Sequence, residues 1–301
     1  VHIKKSRKTG DITLFSDLIK GLTLELEGKV IMHRYTHVEY KAGCTIEVIH
    51  YIGKKQRAGI PRFPKPPKKT KEQIGEANMR QAARKLARKL NANFKPGDWH
   101  ITLTYRKEER PGPEEAKQIL ADFIKELRKR YKAAGFCLKW VAVTEYKKKS
   151  LHHHIVINDI NAGKKQTTHH FVRELWKGKG NPKFVPLYDN GEYSKLADYL
   201  IKETDEAYRE AKEKGKQRYS CSRNLINPKP IIVPRKTKTL WKKEPRPRPG
   251  YCIPPESMFN GLDKMGYPYQ RYIMVKQNPT DADWEPCEWF PVEEEEILWD
   301  H

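Results

Sequence analysis

Between residues 98 and 215 the hydrophobic period changes from 2 to 3.6 and back, in an order that few folds accommodate. Residues 99–105 (WHITLTY) have strand composition. After the Pro111-Gly112-Pro113 break, Ala116, Ile119, Leu120, Phe123, Leu127 and Tyr131 fall on one stripe of a helix. Residues 138–146 and 151–157 read as two short apolar strands joined by 147–150. A helix follows over 168–176 with Thr167 or Thr168 as its N-cap, and a short strand around 184–187 closes the set. The order β-α-β-β-α-β predicts an α+β unit of ferredoxin-like or RRM-like type, a central antiparallel sheet with two helices on one face. The other face is left for a ligand or for further helices. Residues 192–214, where Leu196, Tyr199, Leu200 and Glu203 share a face, supply one such helix.

The two central strands carry the chemistry, in VAVTEYKKKSLHHHIVIN. Side chains alternate along a strand, so His152 and His154 share a face while His153 points with Ile155 and Ile157 to the other. With Lys148-Lys149 as a two-residue turn, Lys147 opposes Ser150 and Glu145 opposes His152. Glu145, His152 and His154 then gather on one side of the sheet; a one-residue slip would turn Glu145 away. Two imidazoles and one carboxylate make a divalent metal site with open positions. Such an ion can orient a phosphodiester, but cleavage still needs a nucleophile. Tyr199, with Lys202 at i+3 on the same helical face, offers one, and Tyr193 is its rival on a different face. A free phenol titrates at about pH 10, so a cation beside it must favour the phenolate, a role that suits Lys202. His153, His169 and His170 read as structural.

Charge bounds the partner. The chain of 301 residues carries 60 Lys+Arg against 38 Asp+Glu, a net +22, which points to a polyanion and first of all to nucleic acid. In the helical stretch 70–90, Met79, Ala83, Leu86 and Leu90 form the apolar stripe, and Arg80, Arg84, Lys85, Arg88 and Lys89 a cationic surface. Arg80, Arg84 and Arg88, with Lys195 on the later helix, are the candidate DNA contacts. Before this helix lie a β-hairpin over 30–52 that turns at Gly43 and a basic, Pro-rich run over 54–69. After the core, residues 217–301 are rich in Pro, with a basic block at 235–243, an acidic stretch at 293–296 and short strands at 231–233 and 272–275. We read them as a loop-rich extension that packs on the core. Three domains follow: an N-terminal extension over 1–97, a catalytic core over 98–215 and a C-terminal extension over 216–301. Five cysteines without a CxxC pair argue against a disulfide framework and a zinc ribbon, and predict a reduced, cytoplasmic setting. No apolar stretch approaches the roughly 18 residues of a membrane span. A GxxxxGK[ST] phosphate loop is missing too, so neither a nucleotide cofactor nor a helicase motor is expected.

The strand ITLTY at 101–105, Glu145 with LHHHIVI at 151–157, and ADYLIKE at 197–203 resemble, in order and spacing, the three motifs of HUH endonucleases. Within these the chain is most similar to rolling-circle replication initiators of small plasmids and phages, of the type related to filamentous-phage gene II proteins. The resemblance covers about residues 98–205, and NANFKPGD and YSCSRNL on its flanks share the look of the subgroup. It implies an HUH endonuclease core acting as a site-specific nickase on single-stranded or extruded origin DNA. Glu145, His152 and His154 would hold Mg²⁺ or Mn²⁺. Tyr199 would attack the scissile phosphate, assisted by Lys202, leaving a free 3′-hydroxyl and a 5′-phosphotyrosine. Unwinding would fall to a host helicase, with no role for a membrane. Two other readings compete: an RRM-like module that only binds single strands, and an HUH relaxase or transposase. Against the first, the third strand carries LHHHIVI where an RRM places Gly and aromatic residues. Against the second, transposases of this type are usually much shorter, and relaxases place their tyrosine before the HUH strand, whereas Tyr199 follows it.

Overall fold

The computed structural model describes residues 32–284 except 59, 61, 65, 66, 148, 149, 189 and 205–217. In chain order its elements are β1 (His33–Ala42), β2 (Thr45–Tyr51), α1 (Lys71–Asn93), β3 (Trp99–Thr104), α2 (Pro113–Ala133), β4 (Trp140–Lys147) and β5 (Ser150–Ile157). They continue as α3 (Thr168–Leu175), β6 (Pro182–Pro186), α4 (Ser194–Glu203), β7 (Ser220–Cys221), β8 (Ile231–Thr237), β9 (Tyr251–Cys252), β10 (Phe259–Leu262) and β11 (Pro268–Lys276). The architecture is mixed α+β, with two antiparallel sheets and four α-helices among the described residues. None of these helices is long and apolar enough to cross a membrane. Two compact units divide the chain: one takes the described residues up to Thr70 together with Pro228–Asn278, the other Lys71–Asn227 and the described residues from Pro279 on.

The second unit holds the β-α-β-β-α-β series as β3-α2-β4-β5-α3-β6. Its strands lie in the order β6-β3-β5-β4-β7, every neighbouring pair antiparallel. Local chemistry explains where the helices start and stop. Helix α2 opens with Pro113 just inside its N-terminus and Glu114 and Glu115 in the first turn, where a fixed φ and negative charge both suit the free N–H groups. It ends on Arg130 and Lys132, and Gly135 follows at φ +83. At the start of α3 the Thr167 hydroxyl accepts the His170 N–H at 3.2 Å, which makes Thr167 the N-cap. Thr168 instead turns its buried hydroxyl to the Ile160 N–H and the Tyr131 hydroxyl.

Alternation along the strands then decides what each face buries. Ile101, Leu103, Trp140, Ala142, Ile155 and Ile157 pack against Leu120, Phe123, Ile124 and Leu127 of α2 and Phe171 and Val172 of α3. The opposite face is also covered over much of its length. Val141, Val143 and Val156 pack there against Ala83, Leu86, Ala87 and Leu90 of α1 and Leu196, Ala197, Leu200 and Ile201 of α4. The helix predicted over 192–214 is therefore α4 as far as Glu203, and the remainder of that stretch falls largely outside the described residues.

The first unit departs from the sequence-based expectation of a loop-rich C-terminal extension packed on the core. Its hairpin forms as predicted, Ala42 pairing Thr45 across a two-residue turn in which Gly43 adopts φ +53. Strands from the C-terminal zone then add to that hairpin: β8 pairs β1 and β11 pairs β2, giving the order β10-β11-β2-β1-β8 with β9 on the end of β11. The physical reason is that a two-stranded hairpin is marginal by itself. The added segments bury its apolar residues, Ile46 and Val48 with Tyr272 and Met274, and Tyr35 and Ile52 with Leu240, Trp241 and Tyr267. Compositional zones and compact units are thus cut differently: α1 belongs to the second unit, and the strands of the C-terminal zone complete the first.

One buried imidazole marks the centre of this sheet. His50 Nδ1 donates to Gln270 Oε1 at 2.9 Å, its Nε2 faces His37 Nδ1 at 2.7 Å, and the Trp241 ring lies 5.3 Å away. Burial lowers its pKa from 6.5 to about 4. The unfolded chain therefore binds the extra proton first, and stability is lost as pH falls from 6.5 towards 4, by up to about 3 kcal/mol. We predict that an NMR titration of His50 has its midpoint near 4 and that thermal stability declines through the same window. A midpoint at 6.5 would show the ring to be solvated.

Candidate metal centre

The β4–β5 register places Glu145 opposite His152 and Val143 opposite His154. On the far side of β5, β3 sets Thr104 opposite His152 and Thr102 opposite His154. All of these side chains share the sheet face that α1 and α4 cover further along. Glu145 Oε2 lies 2.8 Å from His152 Nε2 and 3.4 Å from His154 Nε2, and one ligand atom from each residue falls within 4.8 Å of the others. Glu145 and His154 are buried, whereas the His152 side chain is 18% exposed, so the cluster opens to solvent on the His152 side. Ligand atoms about 2.1 Å from a common ion stand about 3–4 Å apart. Three donors of nitrogen and oxygen type at this spacing could hold a metal ion and leave coordination positions free.

A second layer fixes His154. Its Nδ1 meets His100 Nε2 at 3.2 Å and Thr102 Oγ1 at 3.3 Å, both from β3, which reserves Nε2 for the cluster. Burial and the neighbouring His154 hold the His100 pKa down at about 4, so this contact is made by a neutral ring. Sequence reasoning missed His100 and Thr102. The signal was present, since both alternate with Ile101 and Leu103 in WHITLT, but it acquires meaning only once β3 is known to neighbour β5.

His153 points the other way, with Ile155 and Ile157. It is fully buried, its Nε2 2.8 Å from the Tyr105 hydroxyl and its Nδ1 2.9 Å from Thr144 Oγ1, edge-on to Trp176. Burial pushes its imidazole down to about 3, so it serves as a neutral hydrogen-bonding core residue. On α3, His169 accepts from Arg173 Nε and packs on Phe184, and His170 faces Glu174; neither belongs to the metal cluster.

Helix α4 brings a tyrosine to the same place. The Tyr199 hydroxyl is 3.3 Å from His154 Nε2, its ring stands against His154 and His100, and the residue is 41% exposed. Tyr193 is fully buried among Leu196, Leu200 and the α1 side chains. Of the two candidates, Tyr199 combines access with a contact to the cluster. Lys202 and Lys195 are exposed on the same helix, and the Lys202 side chain makes no ion pair among the described residues. On α1, Arg80 is exposed and pairs with Glu76 at 3.5 Å, while Arg84 and Arg88 are half-buried one and two turns further on.

Residues 98–204 match the model of a family of replication-associated proteins, that of the phage gene II-like replication proteins, and this part of the chain belongs to that family. No curated protein and no solved structure matches the chain.

With Mn²⁺ as a probe ion, we expect His152→Ala or His154→Ala to weaken calorimetric binding at least 10-fold. His153→Ala should keep that binding but lose about 2–4 kcal/mol of stability in thermal melts, since it empties a packed site and strands two hydroxyls. Equal loss of Mn²⁺ affinity in all three variants at unchanged stability would contradict the assignment of faces.

Proposed function

We propose that this replication-associated protein of the phage gene II-like family is an HUH-type endonuclease that starts rolling-circle replication by nicking one strand of origin DNA. A single observation carries the reading. An exposed tyrosine hydroxyl, that of Tyr199, stands 3.3 Å from a histidine of a Glu/His/His cluster able to hold a metal. A nucleophile and an electrophile-binding centre on two different elements converge on one point, as a displacement at phosphorus requires.

In this reading Glu145, His152 and His154 hold Mg²⁺ or Mn²⁺, which when bound polarises a phosphoryl oxygen and orients the scissile group. The residues of the chain do the rest. His100 and Thr102 keep the His154 ring from rotating, so that Nε2 stays on the cluster. Tyr199 Oη gives up its proton and bonds to phosphorus. The bond from phosphorus to the 3′ oxygen breaks, and that oxygen takes up a proton to leave as a 3′-hydroxyl primer. The 5′ end stays on the enzyme as a phosphotyrosine, and the reverse displacement closes the strand without a nucleotide cofactor. Lys202, exposed on the turn after Tyr199, supplies a cation for the phenolate or the phosphate. Arg80, Arg84, Arg88 and Lys195 contribute positive charge that attracts the backbone. A host helicase separates the strands.

The test is incubation with Mn²⁺ and labelled single-stranded oligonucleotides tiled across the replicon that encodes the chain, followed by a denaturing gel. We expect a protein-sized labelled adduct and a shortened 3′-hydroxyl product. Tyr199→Phe should abolish both while DNA affinity changes less than about 2-fold. An adduct that survives in Tyr199→Phe and vanishes in Tyr193→Phe would reassign the nucleophile, and no cleavage of any tile would leave a binding protein.

A further inference from the structure

The sheet face that carries the metal cluster continues past it. Across the strands β4, β5, β3 and β6, the row containing His154 runs Val143, His154, Thr102, Lys183, and the next row runs Val141, Val156, His100, Val185. Paired residues share a face, so Lys183 and Val185 on the edge strand stand beside Thr102 and His100 on the cluster side. Both are exposed. The Lys183 ammonium is close enough to His100 to lower its pKa. Tyr199 touches His154 and His100, the β5 and β3 members of these rows. It therefore stands between Glu145 on one side and Lys183 on the other.

The segment leading into β6 is basic and firmly seated. Lys177, Lys179 and Lys183 fall within seven residues, and among the described residues no carboxylate pairs with any of them. The Arg106 N–H donates to the Lys179 carbonyl at 2.7 Å, Thr104 Oγ1 to the Asn181 carbonyl at 3.0 Å, and Trp176 Nε1 to the Thr104 carbonyl at 2.9 Å. Gly180 presses so closely on β3 that a Cβ there would stand 1.9 Å from the Thr104 carbonyl oxygen. After β6, Tyr188 is 47% exposed, with its ring 6.3 Å from that of Tyr193 at the start of α4.

We propose that β6 and its approach, residues 177–188, form the docking track for the single strand on the side of Tyr199 away from Glu145. Lys183 holds a backbone phosphate next to the one under attack, and Tyr188 offers a ring for a base. The inference rests on the reading of the site as a DNA-nicking centre, and it adds residues that the three motifs do not contain. Charge complementarity selects the occupant. An unpaired row of ammonium groups beside an exposed aromatic matches a phosphate backbone with unstacked bases. The strand spacing places the Lys183 backbone about 9–10 Å from that of His154, within side-chain reach of a neighbouring phosphate.

The test uses the full chain and a fluorescent 20-mer of oligo(dT) in EDTA, so that neither metal nor cleavage enters. Anisotropy titrations over a range of NaCl give the slope of log affinity against log salt. Lys183→Gln should reduce that slope by about 0.7 and weaken binding about 5-fold at 0.1 M salt, the signature of one lost phosphate contact to a single strand. Lys183→Arg should retain the slope. Tyr188→Ala should weaken binding at least about 5-fold and leave the slope unchanged, because stacking releases no counterion. Lys117→Gln, on α2 behind the opposite sheet face, is the control and should match the wild type. A wild-type slope in Lys183→Gln, or an equal loss in Lys117→Gln, overturns the track. Because the measurement is independent of nicking, a slope change in a protein that cuts no origin tile would retain the track and sink the nickase reading. Cleavage with an unchanged slope would do the reverse.

Discussion

The pairing register of β4 and β5 is the constraint on which the candidate site depends. A slip of one residue would exchange the faces of Glu145, His152 and His154 and drive a carboxylate into the apolar core. What prevents it is burial on both sides of this hairpin. Trp140, Ala142, Ile155 and Ile157 fill one face, and Val141, Val143 and Val156 fill the other. His153 reinforces the choice, because its two ring nitrogens meet Tyr105 and Thr144 only in the observed register. The histidine that binds no metal is thus part of what aims the two that can.

The same burial sets the electrostatics of the site. His154 and Glu145 sit where the apolar contacts of α1 and α4 give way to the open end of the sheet, so an ion held there would be screened by water on the His152 side only. In such partly desolvated surroundings a charge interacts strongly with its immediate neighbours. The neighbours are chosen accordingly: neutral His100 and the Thr102 hydroxyl on the protein side of His154, and a phenol from α4 on the open side. Helix α4 has two jobs in one stretch of ten residues. Leu196, Ala197, Leu200 and Ile201 anchor it to the sheet, and Tyr199, between them in sequence, faces the cluster.

The positive charge is distributed by the same logic. Most of the second unit's helix surfaces are mixed in sign, with local pairs such as Lys117–Glu114 and Lys129–Glu126 on α2. The segment before β6 lacks such partners among the described residues. A net charge of +22 states that a polyanion is welcome; it is the uneven pairing that says where.

Much of the site was legible in the sequence because its information is local. Alternation in LHHHIVIN, the two-residue turn and the 3.6 period of 113–133 are properties of consecutive residues, and they suffice to place Glu145, His152 and His154 together and His153 apart. Tyr199 was legible as a candidate, while its choice over Tyr193 required knowing which of the two is buried. What the tertiary structure alone decided is neighbourhood across the sheet. It put His100, Thr102 and Lys183 beside the cluster, covered the second face with α1 as well as α4, and joined β8 and β11 to a hairpin some 200 residues earlier in the chain. Strand partners that far apart are selected by the total apolar surface they bury and the backbone hydrogen bonds they satisfy, a sum over the whole unit that no window of adjacent residues contains.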